Sequence, residues 1–267
     1  MPANLQIIGI CRFSYVAQGG FQKDHATFAE REVYLYDAER MERRFRGFEQ
    51  ICLRTISQQT DPDFRFLVIT GTSLPPPYLE RLTDLTASVP QVELIQHRPM
   101  NHRKAMEEIV NARIDQKGPP VMQFRLDDDD GVGCKYIERS REIFAEMRGL
   151  WDKHKRLAVD FNRGYLMRLD PQGLQAELTM RPNVCAAQAL FLEPENRRTA
   201  LHFPHHRIRS LMPVLSLTHV PMWIRSFDGY NDSARGLEDD TGGLSDEDRT
   251  QIEKRFGIDF GAIERSF

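Results

Sequence analysis

Val121-Met122-Gln123-Phe124-Arg125-Leu126-Asp127-Asp128-Asp129-Asp130-Gly131 passes from a mostly apolar run into four consecutive carboxylates without a spacer. Residues 121–126 read as a buried strand, because a short apolar run behind the turn Gly118-Pro119-Pro120 fits one. Each carboxylate raises the cost of ionising its neighbours, so an acidic run at the end of a buried strand calls for compensation. A divalent cation is the natural candidate. If the strand stays regular, Asp127 and Asp129 point one way and Asp128 and Asp130 the other. That gives an Asp-x-Asp pair able to ligate Mg²⁺ or Mn²⁺. In open α/β sheets, ligands bind beyond the carboxyl ends of the strands. A calcium EF-hand fails on register: with Gly131 at its sixth position, Leu126 and Ile137 stand where acids are needed. No GxxxxGK[ST] phosphate loop is present, and Gly131-Val132-Gly133 lacks the third glycine of a dinucleotide fingerprint.

Outward from this stretch, strands and helices alternate. Residues 5–10, 64–69 and 92–96 read as further strands. Helices are expected over 38–57, where Phe45, Phe48, Cys52 and Ile56 keep helical spacing, from the prolines 75–77 to 85, over 101–114 and over 135–147. That order predicts a mostly parallel central sheet flanked by helices. The second half reads as mixed β: strands at 156–161 and 164–168 around an Asn162-Arg163-Gly164 turn, then 175–180, 186–192 and 215–223. A short helix or loop is expected at 204–211, a loop at 235–243, and a helix at 245–256 capped by Ser245. We therefore expect one α/β domain over 1–267, with a mostly parallel first half, 1–134, and a mixed β second half, 135–267.

Composition narrows the class. The 267 residues carry 36 basic and 39 acidic side chains, a net charge of −3, and 40% are hydrophobic. This balance argues against a nucleic-acid binder, and the length is enough for the chain to fold without a staple. Arginine supplies most of the basic residues. Cys11, Cys52, Cys134 and Cys185 form no CxxC pair, which argues against a zinc or redox motif and fits a cytoplasmic protein. The N-terminal stretch reads as no signal peptide, and no run approaches the roughly 18 apolar residues of a membrane span, which leaves peripheral membrane association open.

The strand and helix order, the stretch 53–69 (Leu-Arg-Thr-Ile-Ser-Gln-Gln-Thr-Asp-Pro-Asp-Phe-Arg-Phe-Leu-Val-Ile) and Arg125-Leu126-Asp127-Asp128-Asp129-Asp130 together resemble GT-A glycosyltransferases. More narrowly they resemble the bacterial family called "putative rhamnosyltransferase", over roughly residues 5–232. The resemblance implies a GT-A-like domain that uses a nucleotide-diphosphate-sugar donor, a divalent metal (Mn²⁺ or Mg²⁺) and a glycan or lipid-linked acceptor, with 1–134 as the nucleotide-sugar half and 135–267 as the acceptor half. It implies that Asp127 faces the donor and Asp129 holds the metal, with Asp128 and Asp130 as the other register. Relatives in the wider group place an aspartate after the second strand to read uracil. Thr70 stands there in this chain, so thymidine and guanosine donors remain open.

Further candidates follow from position. Arg12 and Phe13 end the first strand, where Arg12 could meet a phosphate and Phe13 or Tyr15 stack on a base. Arg103 and Lys104, beside His102, open a helix whose N-terminus suits a diphosphate. The resemblance implies a further metal ligand from a C-terminal histidine, with His219 the first candidate and His205 the second. Asp228 is the candidate catalytic base, with Glu177 and Glu193 as competitors, Asn231 as a polar contact, and Trp223 and Tyr230 as a sugar-stacking pair. Two other readings stand beside glycosyl transfer: a metal-dependent phosphoryl or nucleotidyl enzyme, and a non-catalytic nucleotide-sugar binder.

Overall fold

The apolar runs of the first half become neighbouring parallel strands. In the computed structural model, which describes residues 3–19, 25–170, 173–227 and 244–266, the chain runs through β1 (Gln6–Arg12), β2 (Ala17–Gln18), α1 (Phe28–Leu35), α2 (Ala38–Gly47), a π-helical turn (Phe48–Cys52), α3 (Leu53–Ser57), β3 (Arg65–Gly71), α4 (Pro76–Ala87), β4 (Val92–His97), β5 (Met100–Asn101), α5 (His102–Asn111) and β6 (Val121–Arg125). It continues through β7 (Gly131–Val132), α6 (Tyr136–Glu146), α7 (Arg148–His154), β8 (Arg156–Phe161), β9 (Arg163–Asp170), β10 (Gly173–Met180), β11 (Gln188–Leu192), β12 (Val214–Leu217), β13 (Trp223–Phe227), α8 (Asp246–Phe256) and α9 (Phe260–Arg265).

The central sheet has the order β12-β8-β11-β6-β1-β3-β4. β11 is antiparallel to both its neighbours, and the other pairings are parallel. After β1 the chain builds outward through β3 and β4, then returns to lay β6 on the other side of β1. The order therefore reverses between β1 and β6, and a crevice forms where the two strands end. One face of the sheet packs under Phe45, Phe48, Leu82 and Phe144, and the other under Met106, Ile109, Val110 and Ile208. Both faces are covered, as a parallel sheet requires.

The second half departs from its expected form. The 156–161 and 164–168 strands were expected to flank a turn, but β8 lies in the central sheet and β9 in a second sheet, β10-β9-β13-β7. The expected strand at 215–223 is likewise two strands, one in each sheet. The second sheet packs on α8 and α9 through Met167, Ile224, Ile252, Phe256 and Phe260. The helix expected over 38–57 is continuous but contains the π turn. α1, α7 and α9 had no expectation, because their apolar spacing is too short to show above a loop. The loop expected at 235–243 lies outside the described residues.

Candidate active site

The aspartate run is not a continued strand. Leu126 N–H still donates to the Ile10 carbonyl at 3.1 Å, but β1 then turns away through Ser14 in the left-handed region. Without a partner strand, the run closes into a β-turn in which Asp130 N–H donates to the Asp127 carbonyl at 3.1 Å. Aspartate suits a turn. The expected alternation of Asp127 and Asp129 against Asp128 and Asp130 is therefore wrong.

Arginines surround the turn. Arg125 forks the Asp127 carboxylate, with Nε at 3.0 Å and a terminal nitrogen at 2.7 Å. Arg12, at the end of the adjacent β1, stands 4.0 Å from the same carboxylate. From α2, one terminal nitrogen of Arg44 bridges Asp128 at 2.8 Å and Asp129 at 2.9 Å. Ser226 on β13 donates its hydroxyl to the Asp129 carbonyl at 2.5 Å.

Two close approaches seat the turn. A Cβ on Gly47 would stand 3.1 Å from the Cβ of Asp129, so the bare glycine lets α2 come down on the turn. A Cβ on Gly131 would meet Thr55 at 2.9 Å and Ile51 at 3.0 Å, both buried and β-branched. Gly131→Ala is therefore expected to cost about 1–3 kcal/mol by overpacking, read by urea denaturation. Unchanged stability would show that the turn is not held this tightly.

The charges sort themselves by environment. Burial pushes the Asp127 carboxyl up, but Arg125, Arg12 and Arg44 outweigh it and hold it well below the usual range. Burial drives Asp130 far up, helped by Asp129 and Asp127. Burial also leaves Asp128 raised despite Arg44 and Arg40. Burial and the neighbouring Arg125 lower Arg12 to about 10, so it remains a cation at neutral pH. Burial, with Arg12 and Arg103, lowers His102 to about 4. A carboxyl raised by folding loses stability as pH climbs from its unfolded value of about 4 toward its folded value. Asp130→Asn is therefore expected to raise the melting temperature more at pH 8 than at pH 4. An equal gain at both values would sink that assignment.

A divalent cation does not fit this arrangement. Asp127, Asp128 and Asp129 already meet guanidinium groups, burial raises Asp130 toward its neutral form, and no group of three His, Cys, Asp or Glu side chains able to hold a metal occurs among the described residues. Asp129 is bound to Arg44, and exposed His219 lines a separate cleft with Lys135 and Lys254. His205 has its Nδ1 on the Asn183 carbonyl at 2.7 Å.

Other candidates sit differently from expectation. Phe13 is wholly buried, 4.8 Å from Phe45 and 5.2 Å from Phe48, and Tyr15 is buried with its hydroxyl on the Arg98 carbonyl, so neither offers a face to a base. Thr70 is fully buried, with no hydrogen-bond partner for its hydroxyl among the described residues. Trp223 is buried too, against Gly164 rather than a sugar. Arg103 and Lys104 are exposed at the start of α5, but the Asn101 side chain already accepts from both backbone N–H groups. Glu193 follows β11, whose end lies beside the start of β6, at the wrong edge for a base. Glu177 is level with Arg225 but two strands away, about 10 Å. Asp228, Tyr230 and Asn231 lie outside the described residues.

Sequence reasoning missed Arg44. The signal was present: Arg40 and Arg44 share a helix face at i, i+4, on the helix whose other face carries Met41 and Phe45 into the core. Gln59 and Thr60, in the stretch that carried the family resemblance, are structural. Gln59 Nε2 donates to the Thr55 and Gly133 carbonyls and its oxygen accepts from Ile137 N–H, while Thr60 bonds Cys134 and Glu138. They clamp the end of α3 to the start of α6, directly behind the aspartate turn.

Among solved structures, Staphylococcus aureus TarS residues 1–349 in complex with UDP-GlcNAc is similar at 8% identity and TM-score 0.48, over 87% of this chain and 62% of that one. The UDP complex of the same fragment gives 9% and 0.45, over 84% and 61%. The chain thus spans about six-tenths of those TarS chains. A Bacillus anthracis structure described as a putative glucose-1-phosphate thymidylyltransferase gives 11% and 0.36, over 81% and 88%. No curated protein matches. The family model described as "Putative rhamnosyl transferase" matches residues 6–239, most of the chain, and the chain belongs to that family.

Proposed function

We propose that this protein transfers a sugar from a nucleoside-diphosphate-sugar to a hydroxyl acceptor. One observation carries the reading: Arg12 and Arg125 end the two strands between which the sheet order reverses, with Asp127 between them. Such a crevice is where open α/β sheets take ligands, and guanidinium forks suit phosphate oxygens. The donor's diphosphate lies against Arg12 and Arg125, with the third Arg125 nitrogen left for it after the Asp127 fork. Asp127 accepts from donor hydroxyls. As the glycosidic bond breaks, negative charge grows on the departing diphosphate, and fixed cations at that point lower the barrier.

The first half supplies most of this donor edge, and the second half supplies the acceptor side. Asp228, next after the end of β13, serves as the base that takes the acceptor proton. The acceptor is a glycan or a lipid-linked hydroxyl. No helix among the described residues is long and apolar enough to cross a membrane. The four free cysteines support a cytoplasmic location. The family name makes a rhamnose donor the first to try. In this reading arginines supply the positive charge at the diphosphate, and they hold the carboxylates that would ligate a metal.

Thermal melts with UDP, dTDP and GDP test the reading. At least one is expected to raise the melting temperature by linkage, with or without Mn²⁺, and the matching sugar donors should then show slow hydrolysis. No shift with any nucleotide would overturn the proposal. Asp228→Asn is expected to lower turnover at unchanged donor affinity.

A further inference from the structure

A cleft of about 620 Å³ lies between the start of α6, the ends of β8 and β12, the segment leading into β13, and α8. That volume is typical of a small-molecule site. Its floor is apolar: Phe161, Leu217, Val220 and Met222. Its rim is cationic: Lys135, Arg139, Lys254 and Arg255. Arg139 pairs with Glu142 at 2.6 Å. Lys135, Lys254 and Arg255 are exposed and have no ion-pair partner among the described residues. Three cations without an ion-pair partner among the described residues, around one apolar floor, describe a ligand with an anionic head and an apolar body.

The cleft also connects to the aspartate turn. Gly133 and Met222 line it, and Gly133 N–H donates to the Met222 carbonyl at 3.0 Å. From that bond the paired strands β7 and β13 run to Gly131 and Ile224, and beyond them the Ser226 hydroxyl reaches the Asp129 carbonyl. The path from Gly133 to Asp130 is three residues, about 10 Å.

We propose that this cleft binds the phosphate head and the first part of the chain of a lipid phosphate, the carrier end of a lipid-linked acceptor. The phosphate meets Lys135, Lys254 and Arg255, and the chain lies on the apolar floor. The assignment as acceptor carrier rests on the glycosyl-transfer reading; the binding chemistry does not.

Calorimetric titration with decyl phosphate, kept below its micelle concentration, tests it. Decyl maltoside is the neutral-headed control. Saturable binding of decyl phosphate is expected, at least about tenfold tighter than that of decyl maltoside. The exposed double variant Lys135→Glu, Lys254→Glu is expected to weaken it at least about tenfold while leaving the nucleotide-induced melting shift unchanged. Absent saturable binding, equal binding of the neutral head, or an unaffected double variant would each overturn the proposal. Because the titration needs neither donor nor turnover, a failed nucleotide melt would sink the transferase reading and leave this result standing.

Discussion

Replacing Arg44 by alanine is expected to cost about 3–5 kcal/mol of stability, the usual penalty for removing one partner of a buried ion pair. One Arg44 nitrogen holds both Asp128 and Asp129, whose side chains are only 7% and 18% exposed. Without it, two carboxylates lie side by side with little water to screen them. The deficit should shrink as pH falls, because burial raises the Asp128 carboxyl and it takes up a proton. It should also shrink in Mn²⁺, because the freed pair would then be a competent ligand set for a hard cation. Urea denaturation of wild type and variant, with Mn²⁺ and with a chelator, reads both effects. Arg44→Lys should be intermediate: it restores the charge, but a single ammonium lacks the planar fork. Wild-type stability for Arg44→Ala, or equal stabilisation of both proteins by Mn²⁺, would show that Arg44 is not what neutralises the turn.

The second large effect is on catalysis. Arg125→Gln removes a phosphate-facing cation and leaves the Asp127 carboxylate aimed at an anionic donor. A charged hydrogen bond contributes about 1.5–3 kcal/mol, and repulsion adds to it, so kcat/KM should fall by roughly 10²–10³. Stability falls less, since Asp127 and Arg125 are 37% and 29% exposed. The double variant Arg125→Gln, Asp127→Asn separates the two roles. It should recover the melting temperature and leave donor affinity weak. Recovery of both would mean that Arg125 acts only by balancing Asp127.

Much of the fold was legible because period and punctuation agreed. The apolar runs at 5–10, 64–69 and 121–126 lie between turn residues and could only be buried strands, so β1, β3 and β6 were found close to their bounds. The second half was harder. Nothing local distinguishes β8 from β9 as members of different sheets, since pairing is decided by partners distant in sequence. The aspartate run pointed to the place where the sheet order reverses, but its local geometry differs from the expected one. Its residues were read as strand, yet whether a strand continues depends on the neighbouring β1, which turns away at Ser14. Arg44, 84 residues before Asp128 and invisible as a motif, then occupies the carboxylates for which a metal had been expected.

The π turn at Phe48–Cys52 has a geometric consequence. An α-helix advances about 100° per residue, and a π turn holds one residue more than the α turn it replaces. Arg44 lies on one side of it and Thr55, whose hydroxyl accepts from Val132 N–H at 3.3 Å, on the other. The extra residue sets the angular phase between the arginine that reaches the turn and the threonine that anchors the strand behind it. Deleting one residue from this segment would leave a regular helix of good propensity, yet it would swing Arg44 about a quarter of a revolution away from Asp128 and Asp129.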